Sequence, residues 1–243
     1  MERRKKSERD GVDRLLSKQV VPGYQVRPAH PLPPLTADWD DPLWARAETA
    51  GVTHFRPESS AHRPQVRLRL LHGADGLRGI FRVDDQYVRS IRTGFQSEVY
   101  KDSCVEFFMQ PRPDRGYFNL EMNAGGSHLS YYVEDPARLA GGGLKKFTAL
   151  TAEEGGRIQV RSSLPAAVDP EVREPLSWQL NFFVPLAVLE KYTGPLASLT
   201  GQTWRGNFYK CAEDVSHPHW ASWAPVDELN FHLPRCFGRI QFL

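Results

Sequence analysis

Seven consecutive residues, Tyr117 to Asn123, alternate between hydrogen-bonding and apolar side chains: Tyr117, Asn119, Glu121 and Asn123 against Phe118, Leu120 and Met122. Successive side chains of an extended chain point to opposite faces. The pattern therefore predicts a strand with one apolar face and one face carrying a phenol, two amides and a carboxyl group. Fixed donors and acceptors of this kind suit a ligand dense in hydroxyls. A plain solvated sheet face is the competing reading, although such faces more often carry Lys, Thr and Ser. In the stretch Asp102 to Phe108 the same alternation turns Glu106 away from the core side, with Asp102 at the strand entrance and Tyr100 just before it. The short connection through Pro111 and Gly116 favours pairing of the two strands, which sets Glu106 and Glu121 on one surface. Two carboxyls also suggest glycosidic hydrolysis, which needs a separation of about 5–5.5 Å for retention or about 6.5–9.5 Å for inversion. On an open sheet face, however, the pair lacks the deep cleft that raises one carboxyl's pKa. Binding without catalysis is the expectation. A glycoside hydrolase-type activity on O-glycosyl compounds is the alternative, and a protein-interaction module using the same aromatic face is a third reading.

The elements that must hold these residues are short strands. Val66, Leu68 and Leu70 alternate with Arg67 and Arg69; Leu77, Phe81 and Val83 alternate with Arg78, Arg82 and Asp84; Val105, Phe107 and Met109 alternate with Cys104, Glu106 and Phe108. Later strand-like runs cover 158–162, 178–184, 204–211 and 237–242. Period-two patterning over many short segments, separated by Gly, Pro and Asp, predicts an all-β antiparallel sandwich, immunoglobulin- or jelly-roll-like. One short helix is expected, from Pro185 to Tyr192, with proline at a permitted first position. Residues 1–35 are basic and then proline-rich and read as a tail, leaving 36–243 as the domain. Hydrophobic residues at 40% and aromatics at 11% suffice for a core, and a formal charge of +2 gives no footprint for nucleic acid or an anionic membrane. The N-terminus has no apolar signal segment, so the chain as written is expected in the cytoplasm, or outside the cell if the true start lies upstream. Three cysteines make no disulfide framework.

Several motifs in order resemble carbohydrate-binding module family 9. They are residues 100–108 (Tyr-Lys-Asp-Ser-Cys-Val-Glu-Phe-Phe) and 117–126 (Tyr-Phe-Asn-Leu-Glu-Met-Asn-Ala-Gly-Gly), then Trp178 with Pro185 and Leu189. Residues 201–210 (Gly-Gln-Thr-Trp-Arg-Gly-Asn-Phe-Tyr-Lys), Trp223-Ala-Pro and 230–242 follow, and Trp39 with Trp44 resembles the module's opening. The resemblance covers about residues 35–243 and implies a β-sandwich in which two aromatic rings enclose a terminal sugar while polar side chains bond its hydroxyls. By position it implies Tyr100 and Phe231 as the rings and Glu106, Glu121 and Lys210 as polar contacts. It further implies an oligosaccharide or polysaccharide ligand, a link to carbohydrate catabolism and association with glycoside hydrolases. The chain departs from the family pattern in carrying Tyr and Phe where sugar-gripping members carry tryptophan, and Glu121 in place of an arginine-type contact. Strict alternation, moreover, puts Lys210 with Trp204 and Phe208 rather than with Asn207 and Tyr209, unless a bulge intervenes.

Asn123 joins the polar set from its place on the strand. Trp220 and Trp223 lie in a proline-containing segment, and the reading assigns Trp220 to the ligand rim and Trp223 to the structure. No cofactor is required. Structural calcium is the candidate metal, with Asp84 and Asp85 before a loop as its ligands and a solvated turn as the competing reading. His217, His219 and His232 with Cys211 and Cys236 fit no strong zinc spacing, and Met109 and Met122 read as core filler rather than haem ligands.

Overall fold

The computed structural model describes residues 21–243. Sixteen strands, numbered in chain order, form its frame. β1 (Gly23–Pro28), β2 (Ala50–Val52), β3 (His54–Phe55), β4 (Gln65–His72), β5 (Gly76–Asp85) and β6 (Val88–Ser90) come first. β7 (Cys104–Gln110), β8 (Tyr117–Asn123), β9 (His128–Arg138), β10 (Leu144–Ala149), β11 (Gln159–Ser162) and β12 (Val168–Val172) follow. β13 (Leu176–Pro185), β14 (Thr203–Ala212), β15 (His219–Ser222) and β16 (Gly238–Phe242) complete the set. One sheet runs β10-β9-β8-β7-β14-β16-β1 and the other β1-β4-β5-β13-β11, so β1 belongs to both. All pairings are antiparallel except the two that β1 makes, with β16 and with β4.

The alternation explains the layering. Val66, Leu68, Leu70, Phe81, Val83, Leu180 and Phe182 from the second sheet face Val105, Phe107, Met109, Phe118, Leu120, Met122, Trp204 and Phe208 from the first. Each fully buried side chain of this size stabilises the fold by about 1.5–3 kcal/mol. Met109 and Met122 are part of this core.

Two expectations change. The packed unit begins before residue 36: β1 docks Tyr24 and Val26 into the core between β16 and β4, although its six residues sit among prolines that read as a tail. Residues 1–20, which include the basic run Arg3 to Lys6, lie outside the described residues. There are also two short α-helices among the described residues rather than one. The expected helix is present as α2 (Leu186–Thr193), with Pro185 as its N-cap and Gly194, at φ 77°, ending it. The unforeseen α1 (Ala152–Arg157) carries a capping box between Thr151 and Glu154. Two of its six residues are glycines, which weaken a helical signal in the sequence; Gly155 is required by packing, since a Cβ there would lie 2.2 Å from the Phe95 ring.

The outer face of the first sheet is not open. The β9–β10 hairpin and the segment around 226–237 border it and build a second apolar cluster with Phe108, Tyr117, Val133, Tyr209, Leu233 and Phe237, while the turn at 99–101 packs Val99 against Cys104, Leu129 and Cys211. This covering turns a polar sheet face into a cavity.

Candidate functional site

β7, β8 and β14 are neighbours in register, so Glu106 lies directly opposite Glu121 on one side and Tyr209 on the other. The side chains on this outer face are almost wholly buried: Glu106 is 2% exposed, Glu121 5%, Asn119 and Asn123 0%. Between the sheet and its covering segments lies a cavity of about 530 Å³, within the usual size range for small-molecule sites. Glu106, Glu121 and Cys211 form its floor; Tyr100, Tyr131 and Phe231 are among its aromatic wall residues. Trp220, Phe147, Leu229, Glu213 and Arg138 also line it.

Each floor carboxyl is half satisfied. Cys211 Sγ donates to Glu106 Oε1 at 3.0 Å, and Asn119 Nδ2 donates to Glu121 Oε1 at 2.8 Å. The second oxygen of each, Glu106 Oε2 and Glu121 Oε2, is buried without a hydrogen-bond partner. A buried acceptor left unpaired costs about 1–3 kcal/mol, so both oxygens favour a ligand that donates to them. Burial raises the Glu106 carboxyl well above its ordinary range, with Cys211 and Glu121 adding to the effect. Burial also pushes Glu121 up to about 7, against the hydrogen bond from Asn119. Glu213 rises for the same reason, with Asp214 beside it. The thiols keep their protons: burial pushes Cys104 up to about 11 and Cys211 well above the usual thiol value.

The walls are held by their own packing. Phe231 stacks on Tyr209 with centroids 4.1 Å apart and planes 12° from parallel, and the Tyr209 hydroxyl donates to Phe231 O at 3.0 Å. One face of the Phe231 ring is therefore covered by Tyr209. The Tyr100 hydroxyl donates to Glu98 at 2.8 Å, fixing that ring at the end of the 99–101 turn. Tyr131 packs against Phe147 at 4.8 Å. Trp220 lies at the cavity, whereas Trp223 packs among Tyr24 and Phe208 in the core.

Of the seven ligand-contact candidates, five line the cavity: Tyr100, Glu106, Glu121, Trp220 and Phe231. Asn123 does not. Its amide donates to Arg92 O and Asp102 Oδ2 and accepts from Ser127 N, so all of its capacity serves backbone and turn. Asp102 in turn accepts from Ile91 N, Arg92 N and the Arg92 guanidinium, anchoring the turn that carries Tyr100. Lys210 lies on the other face of β14, with no bulge to turn it, and is 0% exposed. Its Nζ donates to His219 Nε2 at 2.8 Å and Cys211 O at 3.1 Å and lies 3.7 Å from Asp85 Oδ2.

Asp84 and Asp85 do not fit a calcium ion. Neighbours on one strand, they diverge to opposite faces: Asp84 pairs with Arg67 and Arg82, while Asp85 accepts from His62, Trp178 and Gln86 N and faces Lys210. Cationic partners already neutralise both. The histidines and cysteines weighed for zinc are dispersed: His219 belongs to the Lys210 cluster, His232 bonds the Tyr117 hydroxyl at 2.7 Å, and Cys236 lies beside Asp227.

Tyr131, Phe147, Arg138, Glu213 and Cys211 went unread as cavity residues. The first three sit on β9 and β10, where residues 131–132 are two tyrosines in succession and blur the alternation. The β-prone run from Leu129 to Val133 is the signal that could have found the strand.

A two-sheet sandwich with a carboxyl-floored, aromatic-walled cavity on one covered sheet face defines a binding module for a small ligand rich in hydrogen-bond donors. Residues 43–242 match carbohydrate-binding family 9, and the chain belongs to that family. Among solved structures, a candidate carbohydrate-binding protein from Bacteroides uniformis is 25% identical, with TM-score 0.77 over 92% of this chain and all of its own. A family 9 module from Caldicellulosiruptor kristjanssonii, solved with cellotriose, is 14% identical with TM-score 0.59, covering 91% of this chain and 93% of its own. The same organism's family 9 module with glucose gives the same identity and TM-score, covering 96% of that chain. No curated protein matches the chain.

Proposed function

We propose that the cavity holds the terminal residue of an oligosaccharide, without turnover. The observation that carries this reading is the pair of buried, unpartnered carboxyl oxygens, Glu106 Oε2 and Glu121 Oε2, at the foot of an aromatic-walled cavity. Sugar hydroxyls supply donors to such oxygens, and the C–H faces of a pyranose ring pack on Tyr100 and Phe231. The family and the sugars held by the two Caldicellulosiruptor structures support the same ligand class.

The opposed carboxyls also call for a test of hydrolysis, because they are buried rather than open. A retaining or inverting glycosidase divides its pair into one protonated acid and one ionised carboxylate. Here burial raises both, and no lysine or arginine bonds either one to keep it ionised. The two are raised unequally, Glu106 the further, so turnover is tested directly by the assay below.

Isothermal titration with glucose and cello-oligosaccharides, followed by a glycan array, tests the reading. Wild-type protein is expected to give saturable binding, and Phe231→Ala and Tyr100→Ala to weaken it about tenfold each, as expected for loss of an aromatic contact of about 1–1.5 kcal/mol. Release of reducing sugar that disappears in Glu106→Gln or Glu121→Gln would refute binding without turnover. Absence of saturable heat with every glycan would refute the sugar reading itself.

A further inference from the structure

The lining of the cavity is acidic. Three carboxyl groups line it, Glu106, Glu121 and Glu213, against one guanidinium, that of the solvent-exposed Arg138 at the end of β9. The two floor carboxyls are directly opposed across β7 and β8, and each has one buried oxygen without a hydrogen-bond partner. Cys211 and Asn119 use the other oxygens and supply no positive charge. The remaining lining is rich in aromatic groups, Tyr100, Tyr131, Trp220 and Phe231 among them, and aromatic faces attract cations as well as pyranose C–H groups.

We infer that the site is selective for an amino sugar, with the ligand's ammonium group seated between Glu106 Oε2 and Glu121 Oε2. This rests on the carbohydrate reading above and names the substrate class within it. An ammonium has three donors and a positive charge, so one group satisfies both orphan oxygens and lets two adjacent buried carboxyls ionise together. A neutral hydroxyl donates one proton and neutralises nothing. An N-acetylated sugar keeps one N–H donor but has lost the charge.

The floor's titration follows from the same geometry. Glu121 faces Glu106 from β7, Leu129 from β9 and Asn119 on its own strand; Glu213, Arg138 and His232 line the same cavity. Its carboxyl, pushed up to about 7 by burial, must release its proton to take the ammonium as an ion pair. An amine flanked by electron-withdrawing carbons loses its own charge near pH 8, as an α-amino group does. Glu106 is raised further than Glu121 and gives up its proton only as the ammonium enters, so affinity for an amino sugar is expected to rise as Glu121 ionises and to fall again as the amine loses its charge. Glucose lacks the alkaline limb of that profile.

The experiment is titration of the intact chain with glucosamine, glucose and N-acetylglucosamine at pH 5.5, 7.5 and 9, at low and high salt. At pH 7.5 and low salt, glucosamine is expected to bind about tenfold or more tightly than either neutral sugar, the gain of a charge-assisted over a neutral hydrogen bond. That preference should shrink at pH 5.5, at pH 9 and at high salt. Glu106→Gln and Glu121→Gln keep side-chain shape and should abolish the preference, bringing glucosamine affinity down to that of glucose in the same variant, whatever they cost the neutral sugars. Equal binding of the three sugars overturns the amino-sugar inference and leaves the carbohydrate site standing. Binding of none overturns both, and a preference that survives both substitutions overturns the placement of the ammonium. Wild-type protein alone decides selectivity, so a variant that fails to fold does not protect the idea.

Discussion

Replacing Lys210 by methionine separates its two roles: polar sugar contact, as its motif implies, or structural cation, as its surroundings imply. Lys210→Met keeps the aliphatic stem and removes an ammonium that is 0% exposed. Asp85, whose side chain is 1% exposed, then keeps its bonds to His62, Trp178 and Gln86 N but loses the positive charge 3.7 Å away. Burial alone would push the Asp85 carboxyl up; Lys210 and His62 bring it down below the ordinary carboxylate range. His219 is also part of the balance. Its Nδ1–H donates to His217 O at 2.9 Å, leaving Nε2 to accept from Lys210, and burial with the nearby ammonium lowers it to about 3. Removing one partner of a buried pair costs about 3–5 kcal/mol. For a domain of this size that is a fall in Tm of roughly 6–20 °C at about 2–4 °C per kcal/mol. Asp85→Asn should cost a similar amount, because it strands the ammonium. The double variant should cost less than the sum by about 1–3 kcal/mol, the coupling expected of residues in direct contact. Urea melts of the four proteins give the cycle, and titration of the folded variants with the best sugar gives the second readout. Sugar affinity should not move. Additive losses, or a change below about 1 kcal/mol, would refute the buried-pair account. Affinity falling at unchanged stability would return Lys210 to the ligand.

Two further expectations follow. Glu121 has a folded-state pKa raised to about 7 by burial, so between its unfolded value and 7 the native state holds the extra proton and this group lowers stability as pH rises. Glu121→Gln should therefore stabilise the protein at pH 8 by about 3 kcal/mol relative to pH 4.5, read from urea midpoints; a variant profile parallel to wild type would contradict this. Chelation with EDTA should leave Tm unchanged, and added calcium should not raise it, because Asp84 and Asp85 already have cationic partners. A calcium-dependent rise in Tm abolished by Asp84→Asn would overturn that.

The sandwich was legible because its inner faces are apolar and its strands alternate. β4, β5, β7, β8, β13, β14 and β16 all lie on runs that period two picks out. The exceptions have local causes. In β9, Tyr131 turns to the cavity and Tyr132 to the core, so both faces are aromatic and no alternation shows. In β1, prolines before and after the strand hide a segment whose partners, β16 and β4, are supplied from far along the chain. The site divides in the same way. Glu106 and Glu121 share a hairpin, and their juxtaposition follows from two strands and a short connection. Phe231 reaches the cavity from more than a hundred residues away, and only the motif resemblance pointed to it.

The polar face shows what residue type does not reveal. Asn119, Asn123 and Asn207 are the same amide on the same face, yet each is bonded within the protein. Asn119 holds Glu121 and Tyr131 N, Asn123 holds the turn that carries Tyr100, and Asn207 clasps Ala224 through both its N–H and C=O groups. Those amides fasten the covering segments to the sheet, and by doing so they bury the carboxyls. An open sheet with this sequence would leave Glu106 and Glu121 in water, ordinary in pKa and satisfied by solvent. Covered, each has one oxygen occupied and one without a partner, which concentrates the capacity of the face for recognition in two atoms. It follows that an amide far from any sugar can govern affinity. Loosening the Asn207 clasp would reopen the cavity and relax the Glu106 and Glu121 pKa values together, without removing a ligand contact.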